Sequence, residues 1–208
     1  MEHLKILLDR YPQLKVCSAQ IQNAIQSIVN SYRADGKILL CGNGGSASDC
    51  EHISGELLKG FLSKRTIGKD EYLNLNNFAR ENLQKGIPAI PLTSFSSLIS
   101  AFSNDVDATW TYAQLVFALG KPNDVFIGLS TSGNAKNVSY AAQTAKDLGL
   151  TTIALTGKNE SSLSNICDII IQVPEIETFK VQELHLPVYH AICAQVEAIL
   201  FKEYRHYE

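Results

Sequence analysis

Five short apolar runs set the limits on what this chain can become: KILLC at 37–41, PAIPL at 88–92, DVFIGL at 124–129, TTIAL at 151–155 and DIIIQV at 168–173. Most are apolar throughout rather than alternating. Strands covered on both faces read that way, as in a parallel sheet. Between them lie stretches with helical spacing, such as NAKNVSYAAQTAKDLG at 134–149. Strands alternating with helices predict a doubly wound α/β fold. Ahead of the first run, residues 1 to about 35 carry Ile21, Ile25, Ile28, Val29 and Tyr32 on one helical face. ADGK at 34–37 breaks that helix. At the far end, 182–204 places Val188, Ile192, Val196 and Ile199 on one face.

The 208 residues suffice for one domain with a full core. We read 1–208 as a single unit, with a helical segment at 1–35 and an α/β core at 37–204. The net charge of −3 gives no electrostatic reason to expect nucleic acid or a membrane as partner. Five cysteines, an odd number without a Cys-x-x-Cys pair, argue against a disulfide framework and fit a reducing compartment. The opening MEHLKILLDRYPQLK has charges through its apolar stretch, unlike a signal peptide. No run approaches the ~20 apolar residues of a membrane span. The expectation is a soluble, cytoplasmic protein. The least patterned region is 62–87, long for a connection in such a fold; such connections often cover a site, and some are merely mobile.

Two turns carry the chemistry. After the first strand comes Gly42-Asn43-Gly44-Gly45-Ser46 and then a helix, with Ser48 and Glu51 spaced as a capping box. A glycine-rich turn into a helix N-terminus presents backbone N–H groups and the positive end of the dipole, which suits phosphate. It is neither a Walker loop nor Gly-x-Gly-x-x-Gly, so a nucleotide is not indicated. A tight turn without ligand explains the pattern about as well. After the third strand, Ser130, Thr131 and Ser132 supply three hydroxyls and Gly133 permits the turn. Open α/β sheets bind ligands at that edge, although serine and asparagine also cap helices without any ligand. His52 and Glu56, four apart, project from one helix face as a metal pair or a base with its neighbour, if they are not simply an exposed face. VQELHLPVYH adds Gln182, Glu183, His185 and His190; His3 and His206, near the termini, read as incidental.

CGNGGSASD, GLSTSGN, LTGK and QELHxxxxH together resemble the sugar isomerase (SIS) domain family, most closely its phosphoheptose isomerase branch. The likeness covers nearly the whole chain apart from 66–86. It implies a three-layer α/β/α sandwich on a five-stranded parallel sheet, assembled as a homotetramer in which segment 1–35 takes part. It implies substrate contacts at Asn43, Gly44, Gly45, Ser46, Glu56, Asn104, Asp105, Ser130, Thr131, Ser132 and Gln182. It implies zinc on His52, Glu56, Gln182 and His190, with Glu56 as general base and His190 as general acid. The sequence departs from the pattern at Ala135, where a serine is usual, at Gly60, where an arginine would align beside Lys59, and in the length of 62–87.

The implied reaction is aldose–ketose isomerisation of a sugar phosphate through an enediol, with sedoheptulose 7-phosphate the expected substrate. The alternatives are a non-catalytic phosphosugar-binding or regulatory SIS protein and an isomerase of another sugar phosphate. A carboxylate held by a metal is a poorer base than a free one, so the two roles of Glu56 are in tension. Gln182 and His190 are eight apart, roughly 12 Å along a straight helix. Either Pro187 changes the path of that helix, or ligands of one ion come from two subunits, and His190 is then expected to serve a site completed by a neighbouring chain.

Overall fold

The computed structural model describes residues 1–201. His206 and the last residues of the expected helix 182–204 lie outside the described residues. The elements run α1 (Glu2–Arg10), α2 (Ser18–Arg33), β1 (Ile38–Gly42), α3 (Gly45–Leu58), α4 (Asn77–Asn82), β2 (Ala89–Pro91), α5 (Ser96–Phe102), α6 (Thr111–Leu119), β3 (Val125–Leu129), α7 (Lys136–Asp147), β4 (Thr151–Thr156), α8 (Ser162–Ile166), β5 (Ile169–Gln172) and α9 (Thr178–Leu200).

All five expected strands form, and every pairing is parallel, in the order β2-β1-β3-β4-β5. Alternate strand residues enter opposite layers. Ile38, Leu40, Val125, Ile127, Ile153 and Ile171 pack with α1, α2, α3 and α9. Leu39, Cys41, Phe126 and Ala154 pack with α6, α7 and Leu163 of α8. This is a three-layer α/β/α sandwich. Burial on both faces explains the continuous apolar runs. The chain leaves β1 toward β2 and returns past it to β3, so the topology switches between β1 and β3. In open parallel sheets the crevice beyond the carboxyl ends of two such strands is the ordinary ligand site. All five cysteines are unpaired and buried; burial pushes the Cys17 thiol up to about 11 and those of Cys167 and Cys193 to about 12.

The amino-terminal segment is not one helix. Pro12 disfavours helical backbone at the residue before it; Tyr11 leaves α1 at φ −130° and ψ 72°, and a 3₁₀ turn over Pro12–Cys17 leads into α2. The stripe expected to pack on its own sheet as well as on other subunits is buried in the core of its own chain, with Ile21, Ile25, Ile28 and Val29 at most 1% exposed. The capping box does not form. The helix starts earlier, at Gly45, with Gly44 as its cap, and Glu51 instead accepts hydrogen bonds from the Thr93 and Ser94 hydroxyls at 3.3 Å. Helix α9 continues through Pro187, so this proline does not end it. Pro187 and Glu183, whose carbonyl the proline leaves without its helical donor, line an open groove toward α1.

The 62–87 connection is a folded structure around two arginines. Arg80 donates to the carbonyls of Glu71 at 2.6 Å and Tyr72 at 3.0 Å. Arg65 is buried and forms an ion pair at 2.6 Å with buried Glu197 of α9. Glu197 also accepts from the backbone N–H groups of Phe61, Leu62 and Ser63 at 2.8, 2.7 and 3.1 Å. The other guanidinium nitrogens of Arg65 donate to the carbonyls of Leu57 at 2.6 Å and Glu56 at 3.1 Å. One buried pair thus ties the end of α3 to α9 and turns the chain between them.

Candidate active site

The two glycine- and serine-rich turns sit side by side at the carboxyl edge of the sheet. Gly42 and Leu129 are paired across β1 and β3, so Asn43 and Ser130 leave adjacent strand ends, which lie ~4.8 Å apart. Across the switch point the amides of Asn43 and Asn137 bond reciprocally, each N–H···O contact at 2.9 Å. Gly44 takes φ +56°, a left-handed conformation that glycine adopts without strain. Gly45 is needed for closeness: a Cβ there would come within 2.6 Å of Gln182 Nε2. Ser46 and Ser130 are buried, Thr131 is half-buried, and Asn43, Gly44, Gly45 and Ser132 are exposed. The Thr131 carbonyl accepts from Gly157 N–H, the glycine of LTGK. Asn104 and Asp105 lie on an exposed π-helical turn (Ser103–Asp107) and bond to each other at 2.8 Å.

Helices α3 and α9 pack together, and a second cluster lies on their shared seam. His52 Nε2 is 3.2 Å from Glu56 Oε1 and 3.3 Å from His190 Nε2. One ligand atom from each of His52, Glu56 and His190 falls within 4.8 Å of the others, all from one chain. Two nitrogens and a carboxylate oxygen are donors that suit zinc, so these three residues could hold such an ion. Burial, followed by the neighbouring His52 imidazole, holds His190 below the usual imidazole range against the pull of Glu56. The neutral form that ligates metal is therefore favoured. Glu56 Oε2 is buried without a hydrogen-bond partner, with Lys59 Nζ at 3.6 Å. Oε1 is the oxygen presented to the cluster, and both suggested roles of Glu56 converge on it.

Gln182 stands apart from its three expected co-ligands. Its amide lies against Gly45 at the first turn, while His190 is roughly 12 Å further along the same unbroken helix. Within one chain, Gln182 belongs to the loops and His190 to the cluster. His190 meets His52 and Glu56 of its own chain. Three residues escaped the sequence reading: Asn137, Asp49 and Tyr189. The Tyr189 hydroxyl is 3.1 Å from both Asp49 Oδ1 and His52 Nδ1. A spacing of 140 residues between Tyr189 and Asp49 leaves no local signal for such a contact.

His185 has a structural place instead. It is fully buried, its Nε2 3.3 Å from the Thr156 carbonyl and its Nδ1 unpartnered. Burial, opposed by that hydrogen bond, lowers it from 6.5 to about 4. Between those values the unfolded chain binds a proton that the folded chain refuses. Its contribution is therefore complete above pH 6.5 and falls as pH drops toward 4, by at most about 3 kcal/mol. Urea unfolding at about pH 7.5 and about pH 4.5 is expected to show this loss in the native protein and a smaller one in His185→Gln. Equal pH dependence in both would contradict the assignment.

Residues 9–157 match the SIS domain family, and the chain belongs to that family. Its relatives include phosphoheptose isomerases. The phosphoheptose isomerase of Clostridium acetobutylicum is 38% identical over 184 residues, covering 88% of this chain and 84% of the relative. That of Synechocystis sp. is 38% identical over 202 residues, covering 97% and 93%. Among solved structures, phosphoheptose isomerase from Neisseria gonorrhoeae aligns with a TM-score of 0.76 at 28% identity, over 95% of this chain and 96% of that one.

Proposed function

We propose that this protein is a phosphoheptose isomerase, converting sedoheptulose 7-phosphate to D-glycero-D-manno-heptose 7-phosphate through an enediol. The observation that carries the reading is the approach of Glu56 and His190 around His52, in a chain that aligns nearly end to end with phosphoheptose isomerases. In this reading the phosphate lies on Ser130, Thr131 and Ser132. The sugar hydroxyls meet Asn43, Gly44, Gly45, Ser46, Asn104, Asp105 and Gln182. Glu56 takes the proton from C1 and returns it to C2, and His190 moves the hydroxyl proton from O1 to O2. Each step needs its group within hydrogen-bond reach of the reacting atom. His52, Glu56 and His190 would hold zinc, which when bound supplies a Lewis acid for the negative charge developing on the enediol oxygens.

Gly45 and His52 are seven positions apart, roughly 10 Å of helix, so the first turn and the cluster of one chain are separated. That separation supports a homotetramer in which a neighbouring chain brings its loops, Gln182 included, toward this cluster. Segment 1–35 would contribute through residues its own core leaves open, Ile6 at 44% and Val16 at 69% exposure. Five unpaired cysteines support a cytoplasmic setting, and among the described residues no helix is long and apolar enough to cross a membrane. The test is incubation of purified protein with a panel of ketose phosphates. Turnover of sedoheptulose 7-phosphate above the others is expected. Turnover of a different sugar phosphate would redirect the substrate assignment, and binding without turnover would favour a regulatory SIS protein.

A further inference from the structure

The Tyr189 hydroxyl has one proton and two polar neighbours, Asp49 Oδ1 and His52 Nδ1, each at 3.1 Å. An ionised carboxylate only accepts hydrogen bonds, so the hydroxyl proton goes to Asp49. The tyrosine oxygen is then left to accept, and His52 must offer its proton at Nδ1. That fixes the neutral imidazole as the tautomer whose Nε2 carries a lone pair. The lone pair faces Glu56 Oε1 and His190 Nε2. Tyr189 is itself only 2% exposed, and its ring meets that of His52 edge to face at 5.5 Å. The hydroxyl is thereby held in place by core packing.

We propose that Tyr189 and Asp49 are positioning residues which fix the tautomer and ring plane of His52, so that its Nε2 is presented to a divalent cation shared with Glu56 and His190. The inference rests on reading that cluster as a metal site. Outer partners of this kind orient a ligating histidine and raise its basicity, and their loss costs metal affinity. Asp49 is joined to the imidazole through Tyr189, whose hydroxyl contacts both. The hydrogen-bond chain thus runs from His52 through Tyr189 to Asp49.

The experiment measures zinc affinity by competition with a chromophoric chelator for the native protein, Tyr189→Phe, Asp49→Asn, the double variant and His52→Ala. Tyr189→Phe removes one oxygen and keeps the buried ring, and is expected to weaken zinc binding about tenfold. Asp49→Asn should weaken it when Tyr189 is present and have little further effect in the Tyr189→Phe background. A merely structural pair would not give that dependence. Nitrogen-15 NMR of the zinc-loaded native protein should show His52 protonated at Nδ1 and bound through Nε2. Native affinity in Tyr189→Phe, or zinc bound through Nδ1, would overturn the inference while leaving the metal site standing. A native protein that takes up no zinc, or an unchanged affinity in His52→Ala, would overturn the metal reading and this inference with it.

Discussion

Glutamine in place of Glu56 is expected to lower kcat by about 10³-fold, the order associated with a lost general base. The substitution preserves shape and hydrogen-bonding capacity and removes the proton acceptor. Its surroundings in the fold tolerate the change, because Glu56 Oε2 is buried without a partner and Lys59 Nζ stands 3.6 Å away, 63% exposed and free to turn to solvent. The proposed contacts to the rest of the sugar lie on other residues and are left intact, so KM should change little. Steady-state kinetics with matched circular dichroism separates the two quantities. Turnover within threefold of the native rate would remove Glu56 from the role of base.

The second large effect concerns stability. Glu197→Ala is expected to cost about 3–5 kcal/mol, because it leaves the Arg65 guanidinium buried without its counter-charge. It also takes the acceptor from three backbone N–H groups at Phe61, Leu62 and Ser63, and unsatisfied buried donors are costly in their own right. A domain of this size has only about 5–15 kcal/mol to lose. The midpoint of urea unfolding should fall accordingly, and a loss under about 1 kcal/mol would show that the pair is not what fastens α3 to α9. Arg65 holds a left-handed backbone at φ +46°, unusual outside glycine, which the surrounding hydrogen bonds keep in place.

The strands were legible because burial on both faces leaves an unbroken apolar run in the sequence, as at Ile38–Gly42 and Val125–Leu129. The crevice followed from where the hydroxyls and glycines fall after those strands. Two prolines mark the boundary of such reasoning. Pro12 breaks the amino-terminal helix, yet Pro187 sits inside a 23-residue helix. The difference is tertiary, since α9 packs against α1, α2 and α3 and opens at Pro187 onto a groove. The four-residue spacing of His52 and Glu56 pointed to one half of the cluster. The rest depends on contacts such as His52–His190, 138 apart, and Arg65–Glu197, 132 apart. Asn43 was legible as a loop residue, whereas its partner Asn137 looked like any polar residue at a helix start. The apolar stripe at Ile21, Ile25 and Ile28 announced burial, and these residues lie in the core with strand residues of their own chain.

Proton NMR of sedoheptulose 7-phosphate incubated with the purified protein in D₂O follows the hydrogen transfer itself. A base that carries hydrogen from C1 to C2 through an enediol exchanges part of it with solvent. The ketose signals are expected to decline and the aldose 7-phosphate to appear, a fraction of it with deuterium at C2. Glu56→Gln should leave the spectrum of the ketose unchanged over the same period. A native protein that leaves sedoheptulose 7-phosphate unaltered, or converts it with no deuterium entering the product, would contradict the account.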